Sequence, residues 1–251
     1  MSDGKSEVPT FWIIAEPNGS GKSTLYGSQR DAIYGNTIIS DVRRPFWIIN
    51  PDLLARRIME TEELGGYDAN VQAVQRIEGW LDASISAHQS VGVETVLSTD
   101  KYRRLVLAAK VKGYEIRLIY VVLSDPELNV SRVKTRVKKG GHDVPVEKIR
   151  ERWHKSLAQL PWFLKQADWA LLFDNSRELR PIGRKSGATI ILDPDAPAAI
   201  RDAVEPFKGP VVEVHLSNVE AREEWRRLSV LEGLTTARVM GKGLDGYREA
   251  L

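Results

Sequence analysis

Ala15-Glu16-Pro17-Asn18-Gly19-Ser20-Gly21-Lys22-Ser23-Thr24, AEPNGSGKST, follows the apolar run Phe11-Trp12-Ile13-Ile14 and leads into LYGSQRDAIYG. An apolar run stopped by a Gly-rich turn reads as a buried strand, and Thr24 to Tyr34 reads as the helix after it. A loop that cradles phosphate needs backbone N–H groups turned inward and ending at a helix N-terminus. The pattern G-x-x-x-x-G-K-[ST] meets that need, and this stretch matches it except at the first glycine, where Glu16 stands. Asn18, Gly19, Ser20, Gly21, Lys22, Ser23 and Thr24 are therefore the candidate nucleotide-binding residues. Gly19 and Gly21 keep side chains out of the way of the phosphates, Lys22 brings a point charge to the β- and γ-phosphates, and Ser23 offers a hydroxyl to magnesium. Glu16 acts against this, because a strand exit that needs φ > 0 costs a glutamate about 1 kcal/mol. Its carboxylate would also repel a triphosphate, unless it points away or pairs with a nearby cation. The reading is a nucleotide site weakened at one position and not destroyed, with ATP and Mg2+ as cofactors.

Outward from the loop, apolar runs and helical spacings alternate. Phe46 to Ile49 is a second short strand, stopped by Asn50-Pro51. Asp68 to Gln89 places Val71, Val74, Ile77, Leu81 and Ile85 at helical spacing. Val91 to Leu97 reads as a strand, and Tyr102 to Lys112 as a helix closed by Gly113. Glu115 to Leu123, EIRLIYVVL, is the most strongly β-forming stretch. Asp125-Pro126 opens a basic helix towards Lys139, Val146 to Gln159 is helical, and Trp169 to Phe173 is another buried strand. This alternation, with no run of tight hairpins, predicts an α/β fold, a parallel sheet flanked by helices, and the phosphate-loop motif after its first strand makes the expectation P-loop NTPase-like. Asp193-Pro194-Asp195-Ala196-Pro197 is the best linker. It divides the chain into a main unit, 1–200, and a small α/β appendage, 201–251.

The 251 residues include 42% hydrophobic side chains, enough for a substantial core, and the net charge is only +2. That balance gives no whole-chain case for a nucleic-acid or membrane partner. The absence of cysteine excludes disulfides and thiolate chemistry and fits a reducing compartment. The polar start MSDGKSEVPT does not read as a signal peptide, and no apolar run approaches the roughly 18 residues of a membrane span. A cytoplasmic location is expected.

A phosphoryl transferase needs a base for the accepting hydroxyl, a metal site, and cations over the moving group. Asp52, in IINPDLL, lies just past a strand end, the ligand-bearing edge of a parallel sheet; its competing reading is a helix cap. Glu94, in GVETVLS, is a carboxylate inside an otherwise apolar strand, which is costly unless paired or functional. Arg132 and Arg136 share a helix face, with Lys139 near it. The following Gly140-Gly141 reads as the hinge of a lid that closes these cations over the phosphates.

FWIIA-PNGSGKST, INPDLLARRI, VETVLS, RVKTRVKKGGHDVPVEKIRERW and ADWALLFDNS together resemble the zeta-toxin family of P-loop kinases, over about residues 10 to 195. The resemblance implies transfer of the γ-phosphate of ATP to the 3′-hydroxyl of a UDP-activated amino sugar, typically UDP-N-acetylglucosamine, and restraint by an antitoxin protein. It implies catalytic roles for Asp52 as base, Lys22 on the phosphates, and Arg136 or Arg132 on the transferring group. Glu94, with Thr95 beside it, would position the sugar. The family's second lid arginine falls near His142. Either His142 serves when protonated, or Arg150 or Arg152 reaches in.

Residues 210 to 250 resemble the C-terminal part of a type II 3-dehydroquinase, on VEVHLSN, AREE-R--S and a closing G--GY--AL. The resemblance would put Glu213 and His215 beside the substrate and Arg222 and Arg226 on its anionic end. LYGSQRDAIYG, with Arg30 and Tyr34, is similar to that family's lid with a spacing one residue short, and ILDPDAPAAIRDA lacks the expected asparagine and histidine. A tail of about 50 residues is too small to bury its own core, so it must lean on the kinase sheet, pair with another chain or stay poorly ordered. The leading reading is therefore a sugar-nucleotide kinase. The alternatives are a catalytically weakened nucleotide-binding or regulatory protein, and a dehydroquinase-related lyase using Tyr34, His215 and Arg222.

Overall fold

The fold is that of a computed structural model, which describes residues 8–21, 47–141, 143–215, 229 and 231–250. Among these residues, one nine-stranded sheet runs in the order β2-β3-β1-β4-β5-β6-β7-β8-β9. The strands are β1 (Thr10–Ala15), β2 (Trp47–Ile49), β3 (Val91–Thr95), β4 (Glu115–Val122), β5 (Trp169–Asp174), β6 (Arg180–Ser186), β7 (Thr189–Leu192), β8 (Val211–His215) and β9 (Ala237–Met240). The first five pair in parallel, β6 is antiparallel to both neighbours, and β7, β8 and β9 are parallel again. The helices are α1 (Pro51–Glu62), α2 (Gly66–Ser86), α3 (Arg103–Val111), α4 (Pro126–Lys138), α5 (Val146–Gln166), α6 (Ala198–Val204) and the short α7 (Gly246–Glu249). The expected α/β parallel architecture is present.

Alternation along β1 divides the core. Phe11, Ile13 and Ala15 face the main cluster, built with Ile77 and Leu81 of α2, Leu105 of α3, Leu160 and Phe163 of α5 and Ile200 of α6. Trp12 and Ile14 face the other side, where the apolar cluster is made with Ile119, Val121, Leu171 and Phe173. At full burial each such side chain contributes about 1.5–3 kcal/mol, so the alternation strongly fixes the register.

Three local features depart from the sequence reading. The helix expected over 146–159 continues to Gln166 through Pro161. Proline there removes one backbone donor, but Leu160, Phe163 and Leu164 are all buried beyond or beside it and keep those last turns on the core. The β6–β7 hairpin was not expected, because RPIGRKS is polar. Gly183 permits it: a Cβ there would stand 2.7 Å from Leu192 Cδ2. Gly140-Gly141, read as a lid hinge, forms a helix cap. Gly140 has φ +83°, its N–H bonds Val137 O at 2.9 Å, and the Gly141 N–H bonds Arg136 O at 3.0 Å, the pairing of a Schellman motif.

The C-terminal tail leans on the sheet, one of the three outcomes expected of it. β7 and β8 pair through Ile190↔Val211, Ile191↔Val212 and Leu192↔Glu213, which carries the ladder into the tail. The expected helix at AREEWRRLS lies, apart from Ser229, outside the described residues, as does the helix expected after Thr24.

Candidate active site

Parallel strands bring their C-terminal ends to one edge, and the order β2-β3-β1-β4-β5 sets Asn50 and Asp52, Glu94 and Thr95, the 16–21 loop, Asp125 and Asn175 along it. The described part of the loop turns on its two glycines. Gly19 and Gly21 take φ values of +84° and +114°, open only to residues without a Cβ. Glycine at 19 has a second cause: a Cβ there would lie 3.1 Å from Val133 Cγ2 and 3.2 Å from Asn129 O, so α4 packs against the loop itself.

Asparagines hold the loop in place. Asn129, fully buried on α4, donates from Nδ2 to Asn18 O at 2.8 Å and to Ser20 Oγ at 2.9 Å. Because Asn18 O can only accept, the amide cannot be turned over. Its Oδ1 is left buried without a hydrogen-bond partner among the described residues. Asn175, at the end of β5, donates to Ser20 O at 2.7 Å, and Arg132 donates to Asn175 O at 2.6 Å. Arg152 of α5 donates to Asn18 Oδ1 at 3.1 Å. The loop is thereby tied to α4, α5 and β5 at once.

Glu16 does not carry the backbone cost expected of it. The non-glycine residues with positive φ among those described are Glu63, His88 and Leu97, and the Glu16 N–H bonds Thr95 O at 3.1 Å as a continuation of the β1–β3 ladder. The strained position is Leu97, φ +58° and buried, with its N–H on Thr95 Oγ1 at 3.0 Å. What remains of the Glu16 departure is electrostatic: an acidic residue, only 6% exposed, stands at the start of the loop.

On the neighbouring strand ends, Asn50 does two jobs. Its Oδ1 caps α1 by accepting from the Asp52 and Leu53 N–H groups at 2.9 and 3.1 Å, while its Nδ2 donates to Glu94 Oε2 at 2.6 Å. The cap is therefore Asn50 and not Asp52, whose side chain is exposed in the first turn. Glu94 is buried at 6% and Thr95 at 8%.

Among the cations, Arg132 is half-buried and committed to the Asn175 carbonyl, and Arg136, one turn on, is exposed. Arg150 is paired with Glu127 and Glu147 at 2.6 and 2.7 Å, which lowers the Glu127 pKa, so Arg152 is the α5 arginine at the loop. Lys22, Ser23, Thr24 and His142 lie outside the described residues. No cluster of three or more His, Asp or Glu able to hold a metal occurs among the described residues. Sequence reasoning missed Asn50, Asn129 and Asn175. Asn50 alone had a local signal, asparagine before a proline at a helix start.

The zeta-toxin family model matches residues 2–168. The chain belongs to the zeta-toxin family. A second model, that of class II dehydroquinases, matches residues 172–251, so the two meet within β5. An uncharacterised protein of Haemophilus influenzae is 30% identical over 136 residues, 54% of this chain and 86% of that protein. The 3-dehydroquinate dehydratase of Salinispora tropica is 48% identical over 69 residues, 26% of this chain and 48% of that enzyme. The chain spans about half the length of the dehydroquinases it matches. Among solved structures, the PezAT chromosomal toxin–antitoxin system of Streptococcus pneumoniae superposes with TM-score 0.51 at 17% identity, covering 70% of this chain and 71% of that one. The AvrRxo1-ORF1:ORF2 complex gives 0.55 at 15% identity, covering 79% and 64%. These likenesses show the fold. This zeta-toxin-family chain has the framework of a kinase-type nucleotide-binding protein. No helix among the described residues is long and apolar enough to cross a membrane.

At the far end of the edge, β8 of the dehydroquinase-matched segment carries Glu213 and His215. Glu213 is fully buried and accepts from Arg238 Nε at 2.6 Å and from the Ser229 hydroxyl. His215 Nε2 lies 2.9 Å from Glu213 Oε1, close enough for charge attraction but not aligned as a hydrogen bond. Arg222, Arg226, Arg30 and Tyr34 lie outside the described residues.

Proposed function

We propose that this chain is an ATP-dependent kinase that phosphorylates a hydroxyl of a UDP-amino sugar such as UDP-N-acetylglucosamine, and that an antitoxin protein restrains it. The observation that carries the reading is the adjacency of two prepared sites on one strand edge: the amide-braced glycine loop, and the Asn50–Glu94 pair beside Asp52. Bound ATP with magnesium supplies the transferable phosphoryl group and the metal's charge. Asp52 accepts the proton of the attacking sugar hydroxyl from its position in the first turn of α1. Glu94, oriented by Asn50, hydrogen-bonds the sugar, with Thr95 beside it. Arg136 and Arg152 face the phosphates from α4 and α5, while Arg132 braces the Asn175 carbonyl. Lys22 and Ser23 take phosphate and magnesium by their places in the motif. The toxin–antitoxin character of the PezAT structure supports the restraining partner, and the family supports a cytoplasmic setting.

The buried acidic residue Glu16 favours a second reading, a nucleotide-binding regulator with slow turnover. Calorimetric titration with ATP–Mg2+ and ADP release with UDP-N-acetylglucosamine separate the two. The kinase reading requires binding and sugar-dependent ADP release that Asp52→Asn abolishes. Binding without release, with release gained in Glu16→Gly, supports the regulator.

A further inference from the structure

The opposite edge of the sheet carries a groove that the kinase site does not use. β5, β7 and β8 begin there, and α3 ends there. A cavity of about 590 Å³ opens between Lys110, Lys165, Asp168, Lys185 and Lys208. It adjoins, across Pro161 and Pro206, a second cavity of about 550 Å³ between α5 and α6, walled by Trp153, Leu157, Ala158, Ala199 and Ala203. Both volumes fall in the range of small-molecule sites.

The two lobes differ in chemistry. Four lysines line the first against one aspartate. Lys185 is only 4% exposed, and its ammonium donates to the carbonyls of Ala167 and Gly187. The Lys110 ammonium donates to Gln166 O at 2.7 Å and lies 3.6 Å from Asp168 Oδ1. Asp168 is itself tied down, because Oδ2 accepts the Ile116 N–H at 2.8 Å. Two ammonium groups are thus fixed on the wall by backbone carbonyls, with Lys165 and Lys208 exposed at the rim. Burial pushes the Lys185 pKa down; Asp168 opposes this and Lys110 adds to it. A cation held against burial and a like charge is relieved by an incoming anion. The second lobe is apolar apart from His154 and Asp202, and Asp202 would repel an anionic head from that end.

We propose that this groove binds an anionic amphiphile, a small molecule with a carboxylate or phosphate head on Lys110 and Lys185 and an apolar body between α5 and α6. The site joins the segment matched to zeta toxins, up to residue 168, with the segment matched to dehydroquinases from 172. It stands independently of the kinase reading.

The test uses the full chain and the anionic probe 8-anilinonaphthalene-1-sulfonate, followed by fluorescence. One saturable site is expected, about tenfold weaker for the uncharged N-phenyl-1-naphthylamine. Affinity should fall with added salt and at least about tenfold in Lys165→Glu/Lys208→Glu, a rim pair whose exchange leaves the buried Lys185 contacts in place. Ala158→Trp, at an exposed position of the apolar lobe, should abolish binding. Laurate or lauryl phosphate should displace the probe, and the stronger competitor identifies the head group. Absence of saturable binding, indifference to both variants, displacement by neither competitor, or displacement by ATP–Mg2+ would each overturn the proposal.

Discussion

Replacing Asn129 by alanine separates a stability role from a positioning role. The change deletes two hydrogen bonds to the loop, to Asn18 O and Ser20 Oγ, each worth about 0.5–1.5 kcal/mol net. It also deletes the buried Oδ1, which has no partner among the described residues and costs about 1–3 kcal/mol of desolvation. That gain offsets only part of the loss, because the Asn18 carbonyl and the buried Ser20 hydroxyl are left without their donor, so stability in urea should fall by about 1–3 kcal/mol. Nucleotide affinity has no such compensation, because it depends on where Asn18 O and Ser20 stand. ATP–Mg2+ binding should weaken by about tenfold, or ~1.4 kcal/mol. A double-mutant cycle with Ser20→Ala isolates the shared bond, with an expected coupling of about 0.5–1.5 kcal/mol in binding free energy. Strictly additive losses, or a large fall in stability with unchanged ATP affinity, would show that Asn129 is only a packing residue.

Other consequences follow from single contacts. Gly19→Ala combines a positive φ, about 1 kcal/mol, with overpacking against Val133 and Asn129, about 1–3 kcal/mol, and should lower the denaturation midpoint as well as ATP binding. Asn50→Asp keeps an N-cap of equal rank but sets a carboxylate against Glu94 Oε2. Steady-state kinetics should show a raised KM for the sugar nucleotide, with circular dichroism unchanged. Asp193 has its carboxyl pushed above the ordinary 3.8 by burial, against the hydrogen bond it accepts from the Asp195 N–H and the nearby Arg180 charge. The folded chain then holds a proton that the unfolded chain has released, so this group's contribution to stability falls as pH rises from 3.8 through the raised pKa. Across that window the midpoint of the parent chain should drop relative to Asp193→Asn; a constant difference would contradict the assignment.

The strands and the loop were legible because burial writes itself locally: FWIIA, VGVET and EIRLIYVV are apolar runs ended by turn residues, and each is a strand of the parallel core. Glu94 stood out for the same reason, as a carboxylate where the pattern demanded none. The bracing amides did not. Asn129 and Asn175 are 109 and 155 residues from Ser20 in the chain, and an asparagine on a helix or after a strand has no periodic signature of its partner. Glu16 was misjudged because the sequence motif does not say which backbone angles the strand exit takes. The capping role of Gly140-Gly141 was not legible because a glycine pair suits a cap as well as a hinge, and the bonds to Arg136 O and Val137 O are what show the cap. The β6–β7 hairpin escaped because its hydrophobic content is low and its close approach depends on Gly183 against Leu192.

The central claim is that the strand edge bearing the loop, Glu94 and Asp52 transfers phosphate to a sugar nucleotide. Incubation of the full chain with ATP labelled in the γ-phosphate, magnesium and UDP-N-acetylglucosamine tests it most directly. The account predicts label on the sugar nucleotide, and none with Asp52→Asn even though that variant still binds ATP. An unlabelled sugar nucleotide with the parent chain, or undiminished transfer by Asp52→Asn, would contradict it.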